Sequence, residues 1–186
     1  MFGIMLDVIG KAYGVGENSL ALQPTTQTNE QSIFQQARQA NNTATAEGGP
    51  ALSNGDGNTK DKFAGAVGKV KEFLTKTGRT DLLNALGKKD LKVESEDLPK
   101  NYLGSAQGNL ITINSDVLKG ASEEKIASIL LHELNHVARA SKKDTIAEEF
   151  QCKQMEEQLL DSAGQGEYAN DEKLLSTVKR LYSHLA

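Results

Sequence analysis

The sequence predicts an α+β domain in which a small β-sheet packs on a buried helix and further helices follow toward the C-terminus. Three observations predict it. Apolar residues recur at helical spacing in several separate stretches. Three short runs with strand character sit together near the middle of the chain. The two kinds of element are segregated rather than alternating, in the order helix, small sheet, then three helices.

A chain of 186 residues is long enough for one domain with a real core and no covalent staples. Its formal charge of −4 is mild and well mixed, so nothing points to nucleic acid or an anionic membrane as a partner. The single cysteine, Cys152, excludes an internal disulfide and a cysteine-rich zinc ribbon. The apolar start, Met1–Gly10, lacks a basic leader and is interrupted by Asp7, and no stretch approaches the roughly 18 apolar residues of a membrane span. The expectation is a soluble protein, cytoplasmic or exported by a leaderless route.

Composition divides the chain near residue 60. Ser19 to Asn58 is rich in Gln, Asn, Thr, Ser and Gly, with one apolar patch at Ile33–Phe34. Such a segment buries too little to offset the entropy of ordering it. Residues 1–60 are therefore expected to form a flexible polar segment, with a transient helix around Glu30–Ala40 and an apolar Met1–Val15 able to dock on another surface. Asn54, Asp56 and Asn58 alternate like calcium-loop ligands. However, Thr59 stands where that loop needs glycine and Gly65 where it needs glutamate, so a polar linker is expected.

The ordered domain is expected over residues 61–186. Phe63, Val67, Val70, Phe73 and Leu74 recur at helical spacing and predict a helix ending by Gly78. Thr80 is positioned to cap a short helix through Leu86, stopped by Gly87. Strands are predicted at Leu91–Val93, Tyr102–Ala106 and Leu110–Asn114, the last two joined by a Gln107-Gly108-Asn109 loop. A long helix follows from Ser122 to Ala140, with Ser122 as N-cap and Glu123 and Glu124 at its positive end. A second begins after Asp144 and runs to Asp161. A third, Asn170 to Leu185, carries Leu174, Leu175, Val178, Leu181 and Leu185 as its buried stripe.

The long helix contains His132-Glu133-Leu134-Asn135-His136, the H-E-x-x-H pattern. At 3.6 residues per turn, positions i and i+4 lie one turn apart on one face, so both imidazoles can reach a single Zn²⁺. Glu133 stands beside them, placed to take a proton from a water that the metal acidifies. The surrounding Ile126, Ala127, Ile129, Leu130, Leu131, Leu134, Val137 and Ala138 make this helix apolar almost all round. Burying His, Glu and His in such a helix is costly unless they have partners or a metal. The bland alternative is a pair of satisfied core histidines with a salt-bridged glutamate. Two of the chain's three histidines falling in this motif favours the metal.

A hydrolytic zinc needs a third protein ligand and an open fourth position. The nearby carboxylates downstream are Asp144, Glu148 and Glu149, and His184 is the remaining imidazole. Glu148 and Glu149 are adjacent on the next predicted helix and point about 100° apart, so at most one faces the metal squarely. Periodicity does not choose between them: Glu148 shares a stripe with Cys152, Met155 and Leu159, while Glu149 lies between Cys152 and Leu160. Cys152 itself reads as a buried small residue rather than a reactive thiol or a switch on the metal.

HELNH followed by a glutamate on the next helix resembles the gluzincin branch of zinc metallopeptidases, and the size of the domain resembles the minigluzincins. The resemblance covers about residues 100–160. It implies a zincin-like fold, a bound zinc, and Glu149 as third ligand, because Glu149-Phe150-Gln151-Cys152-Lys153 is similar to the family's Glu-x-x-Ala/Ser-Asp run. Lys153 departs from that run where an acid commonly supports a ligand histidine, which leaves Asp144 or Glu148 to take over that support. The metzincin pattern does not apply, since Arg139 and Lys142 replace its glycine and third histidine. The resemblance further implies an exposed edge strand that pairs with an extended peptide or protein substrate. For the oxyanion, the candidate donors are Tyr168, Tyr182, His184 and Arg139. The expected function is zinc-dependent peptide hydrolysis with Glu133 as general base and His132, His136 and Glu149 on the metal. The alternative is an inactive zincin-like metal-binding domain that serves as an interaction module. A flanking segment covering the site, Met1–Val15 or the C-terminal helix, is a further expectation.

Overall fold

The computed structural model describes residues 49–139, 145–168 and 170–185, all within the second of two units, Asn41–Ala186. The readings made for Met1–Val15, for Glu30–Ala40 and for the Ser141–Asp144 turn lie outside the described residues. The fold is mixed α+β: six helices and one three-stranded sheet among the described residues.

The first helix, α1, spans Gly57–Lys76 and starts one and a half turns before the apolar periodicity becomes visible. Asp56 causes the early start: its side chain accepts the Thr59 N–H at 2.8 Å and caps the helix. Just upstream, Leu52 is buried, Ser53 donates through its N–H and its hydroxyl to the Val93 carbonyl, and the Asn54 amide clamps both the N–H and the carbonyl of Ser95. Asn54 and Asp56 therefore serve as a strand clamp and a helix cap, and residues 52–54 line one edge of the sheet rather than belonging to a polar linker.

A short helix, α2, covers Thr80–Leu86. Thr80 is its first residue and not its cap. Arg79 holds the N-cap position and pairs with Asp81 at 2.9 Å. The strands follow: β1 Lys92–Glu96, β2 Gly104–Gln107 and β3 Leu110–Asn114, in the spatial order β1-β3-β2. β3 is central, parallel to β1 with Val93 opposite Ile111, and antiparallel to β2 with Ala106 opposite Ile111. Its Ile111, Thr112, Ile113 and Asn114 are all buried, as expected for a strand covered on both faces. Gln107 pairs with Leu110, so the hairpin loop is the two residues Gly108-Asn109, and Gly108 supplies the positive φ of 61° that this turn needs.

A helix absent from the sequence reading, α3, runs Ser115–Gly120. Asn114 ends β3 and begins α3 at once: its carboxamide oxygen accepts the Asp116 N–H at 3.1 Å, and its Nδ2 donates to the Tyr102 carbonyl at 2.9 Å. The long helix, α4, spans Glu123–Arg139, and Ser122 Oγ accepts the Lys125 N–H as its cap. α4 is the hub of the fold, packing against α1, α2, α5 (Ile146–Ser162), β2 and β3. Ile126, Leu130, Leu131 and Leu134 on it are fully buried. Each contributes roughly 1.5–3 kcal/mol of transfer free energy, so the helix is held in place by its apolar surface and not by its polar motif.

α5 is capped by Thr145, whose hydroxyl accepts the Glu148 N–H at 3.2 Å. The last helix, α6, spans Asp171–Leu181, is capped by Asn170, and leads into a 3₁₀ turn at Ser183–Leu185. The predicted stripe on this helix is only partly buried: Leu174 and Val178 are in the core, whereas Leu181 is 52 % exposed. The helix ends at Leu181, so Leu185 does not continue its face. Among the described residues no helix is long and apolar enough to cross a membrane.

Candidate metal centre

α4 and α5 lie side by side, and the candidate site residues meet between them. His132 and His136 project from one face of α4 with Nε2 atoms 3.3 Å apart and ring centroids 5.1 Å apart. From α5, Glu149 reaches both: Oε2 lies 3.4 Å from His132 Nε2 and Oε1 lies 3.5 Å from His136 Nε2. Glu149 is buried at 3 % exposure, while Glu148 is half-buried in the first turn and accepts from the Thr145 hydroxyl. Of the two acids that periodicity leaves open, Glu149 is the one whose carboxylate oxygens lie beside the two imidazoles.

His132 Nε2 and His136 Nε2 stand at the donor–donor spacing of about 3.3–3.4 Å that tetrahedral bonds of 2.0–2.1 Å require, and a different oxygen of the Glu149 carboxylate lies beside each of them. Glu149 Oε2 is buried with no hydrogen-bond partner and has His132 Nε2 3.4 Å away at ion-pair distance, an arrangement that suits a metal ligand. Cys152 belongs to the same group. Its Sγ and the ligand nitrogens of His132 and His136 all lie within 4.8 Å of one another, so His132, His136 and Cys152 can together hold a metal ion.

The other nitrogen of His132 faces an acid. Nδ1 lies 3.4 Å from Glu156 Oε2, outside hydrogen-bond geometry but within ion-pair distance. Glu156 is buried and held by Lys153 at 2.6 Å, by Lys125 at 3.2 Å, and by the Ser128 hydroxyl at 3.5 Å. Glu156 is thus the acid oriented toward His132 Nδ1, a position expected for Asp144 or Glu148. Asp144 is outside the described residues. Lys153 does not leave the support missing: it anchors the carboxylate that provides it. Glu149, Cys152 and Glu156 follow one another at i, i+3 and i+7, one stripe of α5 turned toward α4.

Electrostatics in the cluster follow from burial and mutual charge. Burial opposes a charged His132 imidazole, but Glu149 and Glu156 outweigh it and raise its pKa to about 9. Burial raises Glu149 too, yet His132 and His136 hold its carboxyl below the usual carboxylate range. For Glu156, burial is likewise outweighed, by His132 and Lys153, and its pKa is strongly lowered. Glu133 differs: burial dominates and lifts it to about 7. Burial, reinforced by Glu149, pushes the Cys152 thiol up to about 12.

Glu133 lies against the outer strand of the sheet. A Cβ added at Gly104 on β2 would stand 3.0 Å from Glu133 Oε1 and 3.0 Å from Ile129 Cγ2, so glycine there leaves room for the carboxylate. Of the four oxyanion candidates, Tyr182 is at the site. Burial, together with the Glu149 carboxylate, pushes its pKa upward. His184 stacks obliquely on Tyr182 at 6.4 Å. Arg139 donates to Gln151 at 2.7 Å, and Tyr168 is tied through its backbone N–H to Glu157. Glu156 and Gly104 escaped the sequence reading; the i+7 spacing from Glu149 was the available signal for the first, and Gly104 had none.

Comparison with protein-family models and with curated proteins found no match.

Proposed function

We propose that the chain is a zinc-dependent hydrolase of peptide bonds, a gluzincin-type metallopeptidase on a zincin-like fold. The reading rests on one observation above the rest: His132 Nε2 and His136 Nε2 stand 3.3 Å apart, and the buried Glu149 carboxylate places one oxygen 3.4 Å from the first and its other oxygen 3.5 Å from the second. Zn²⁺ held by these three would acidify a water and polarise the scissile carbonyl. Glu133, lifted to about 7 by burial, is matched to accept a proton near neutral pH and pass it to the leaving amine. Glu156 orients His132, as carboxylates facing ligand histidines do, and the two lysines fix Glu156. Tyr182, held beside Glu149, is the donor for the developing oxyanion. β2 is the outer strand on the Glu133 side, whereas residues 52–54 line β1's outer edge, so an extended peptide or protein substrate would pair along β2.

The test is Glu133→Gln. The variant should bind zinc as the wild type does and lose peptide hydrolysis by about 10²–10⁴-fold. Full activity in that variant, or no cleavage of any peptide library by the zinc-loaded wild type, would refute the enzyme reading.

A further inference from the structure

Cys152 has no part in the chemistry above, yet its sulfur stands among the donors nearest the two imidazoles. It follows Glu149 by three residues on α5, so both side chains leave the same face, and it is 0 % exposed. Its Sγ is within 4.8 Å of the ligand nitrogens of His132 and His136. A thiolate and an imidazole sharing one tetrahedral zinc stand about 3.5 Å apart, so a side-chain adjustment on the order of 1 Å completes the contact. An independent observation points to a ligand here: Glu149 Oε2 is buried without a hydrogen-bond partner and stands 3.4 Å from His132 Nε2.

We propose that Cys152 is a fourth, displaceable metal ligand, which closes the resting site and leaves it to admit water and substrate. This rests on the reading of His132, His136 and Glu149 as a zinc site. On closing, the thiol loses its proton to solvent as the sulfur–metal bond forms and a water departs. On opening, the water returns and the sulfur regains a proton. No oxidant or reductant takes part. The resting protein is then a latent hydrolase, and any partner or substrate that favours the open form activates it.

Cobalt substitution of the full chain separates this proposal from the reading beneath it. Wild-type protein loaded with Co²⁺ should bind one ion per chain and show a near-ultraviolet sulfur-to-cobalt charge-transfer band. Cys152→Ser should still bind one cobalt, with its visible bands, and lose the charge-transfer band; Cys152→Ala serves where serine disturbs the packing. Acetohydroxamate, a chelating probe of an open coordination position, should bind the cobalt-loaded variant about tenfold more tightly if closure is favoured ten to one in the wild type. Cobalt bound without a charge-transfer band overturns the role of Cys152 and leaves the metal site standing. A charge-transfer band with equal hydroxamate affinity in wild type and variant overturns displaceability. No cobalt bound by the wild type overturns both the proposal and the zinc reading.

Discussion

Replacing Glu156 by glutamine tests the buried polar network behind the proposed metal site. Glutamine keeps the shape and an acceptor near His132 Nδ1, 3.4 Å away, but removes the charge that Lys153 meets at 2.6 Å and Lys125 at 3.2 Å. Two losses follow. Breaking a fully buried ion pair from one side costs about 3–5 kcal/mol. The lysines here are 21 % and 29 % exposed, so water recovers part of that and about 1–3 kcal/mol remains. At about 4 °C per kcal/mol for a domain of this size, melting should fall by roughly 4–12 °C. Separately, loss of a carboxylate that orients a ligand histidine weakens metal binding by about 10–100-fold, or about 1.4–2.7 kcal/mol. Lys153→Met divides the two effects, since it breaks the same ion pair and leaves the carboxylate on His132. That variant should melt lower than wild type while keeping zinc affinity within a few-fold. Thermal unfolding of chelator-treated protein reads the first loss, and competition for zinc with a chromophoric chelator reads the second. Wild-type zinc affinity in Glu156→Gln, or an equal loss of affinity in Lys153→Met, would refute the assignment of Glu156 to His132.

Gly104→Ala should retain zinc and lose hydrolysis, because its Cβ meets Glu133 Oε1 at 3.0 Å; overpacking of this kind also costs about 1–3 kcal/mol, readable in a melt, and unchanged turnover would show that the carboxylate has room to spare. Tyr182→Phe should lower kcat by about 10²-fold with KM little changed if its hydroxyl meets the oxyanion, whereas a purely structural role would shift melting and leave the rate alone. For pH, the signs agree between two groups. His132 is raised from 6.5 to about 9, so its stabilising charge is present below about pH 6.5 and is lost as pH rises through about 9; Glu133 is raised from 4.5 to about 7, so folding also weakens as it ionises over that interval. Chelator-treated protein should therefore melt lower at pH 9 than at pH 6, and added zinc should stabilise it more at pH 9, where about half of the His132 imidazole has already lost its proton. A chelator-treated melting point that rises over that range would contradict this.

What could be read in the sequence was what one helix carries by itself. HELNH, the apolar surroundings of α4 and the Ser122 cap all lie within consecutive residues, and the structure keeps each of them. Glu149 as the proposed third ligand is reached only through the resemblance, because neighbouring acids on a helix differ by rotation and not by composition. Glu156 was hidden for the same physical reason. In the run Gln154-Met155-Glu156-Glu157 two acids look alike, yet one faces His132 and the other accepts backbone N–H groups from Glu167 and Tyr168. The parallel pairing of β1 with β3 is a long-range choice with no local signal. α3 depends on Asn114 ending a strand and capping a helix at once, and Asp56 began α1 in a stretch whose polarity reads as linker.

Zinc content measured by mass spectrometry on the purified full chain, after dialysis against a weak chelator, tests the central claim most directly. One zinc per chain in the wild type, falling well below one in Glu149→Ala and in His132→Ala, is the result expected of a centre built from His132, His136 and Glu149. A wild-type chain without stoichiometric zinc, or a Glu149→Ala variant that holds zinc as tightly as the wild type, would contradict it.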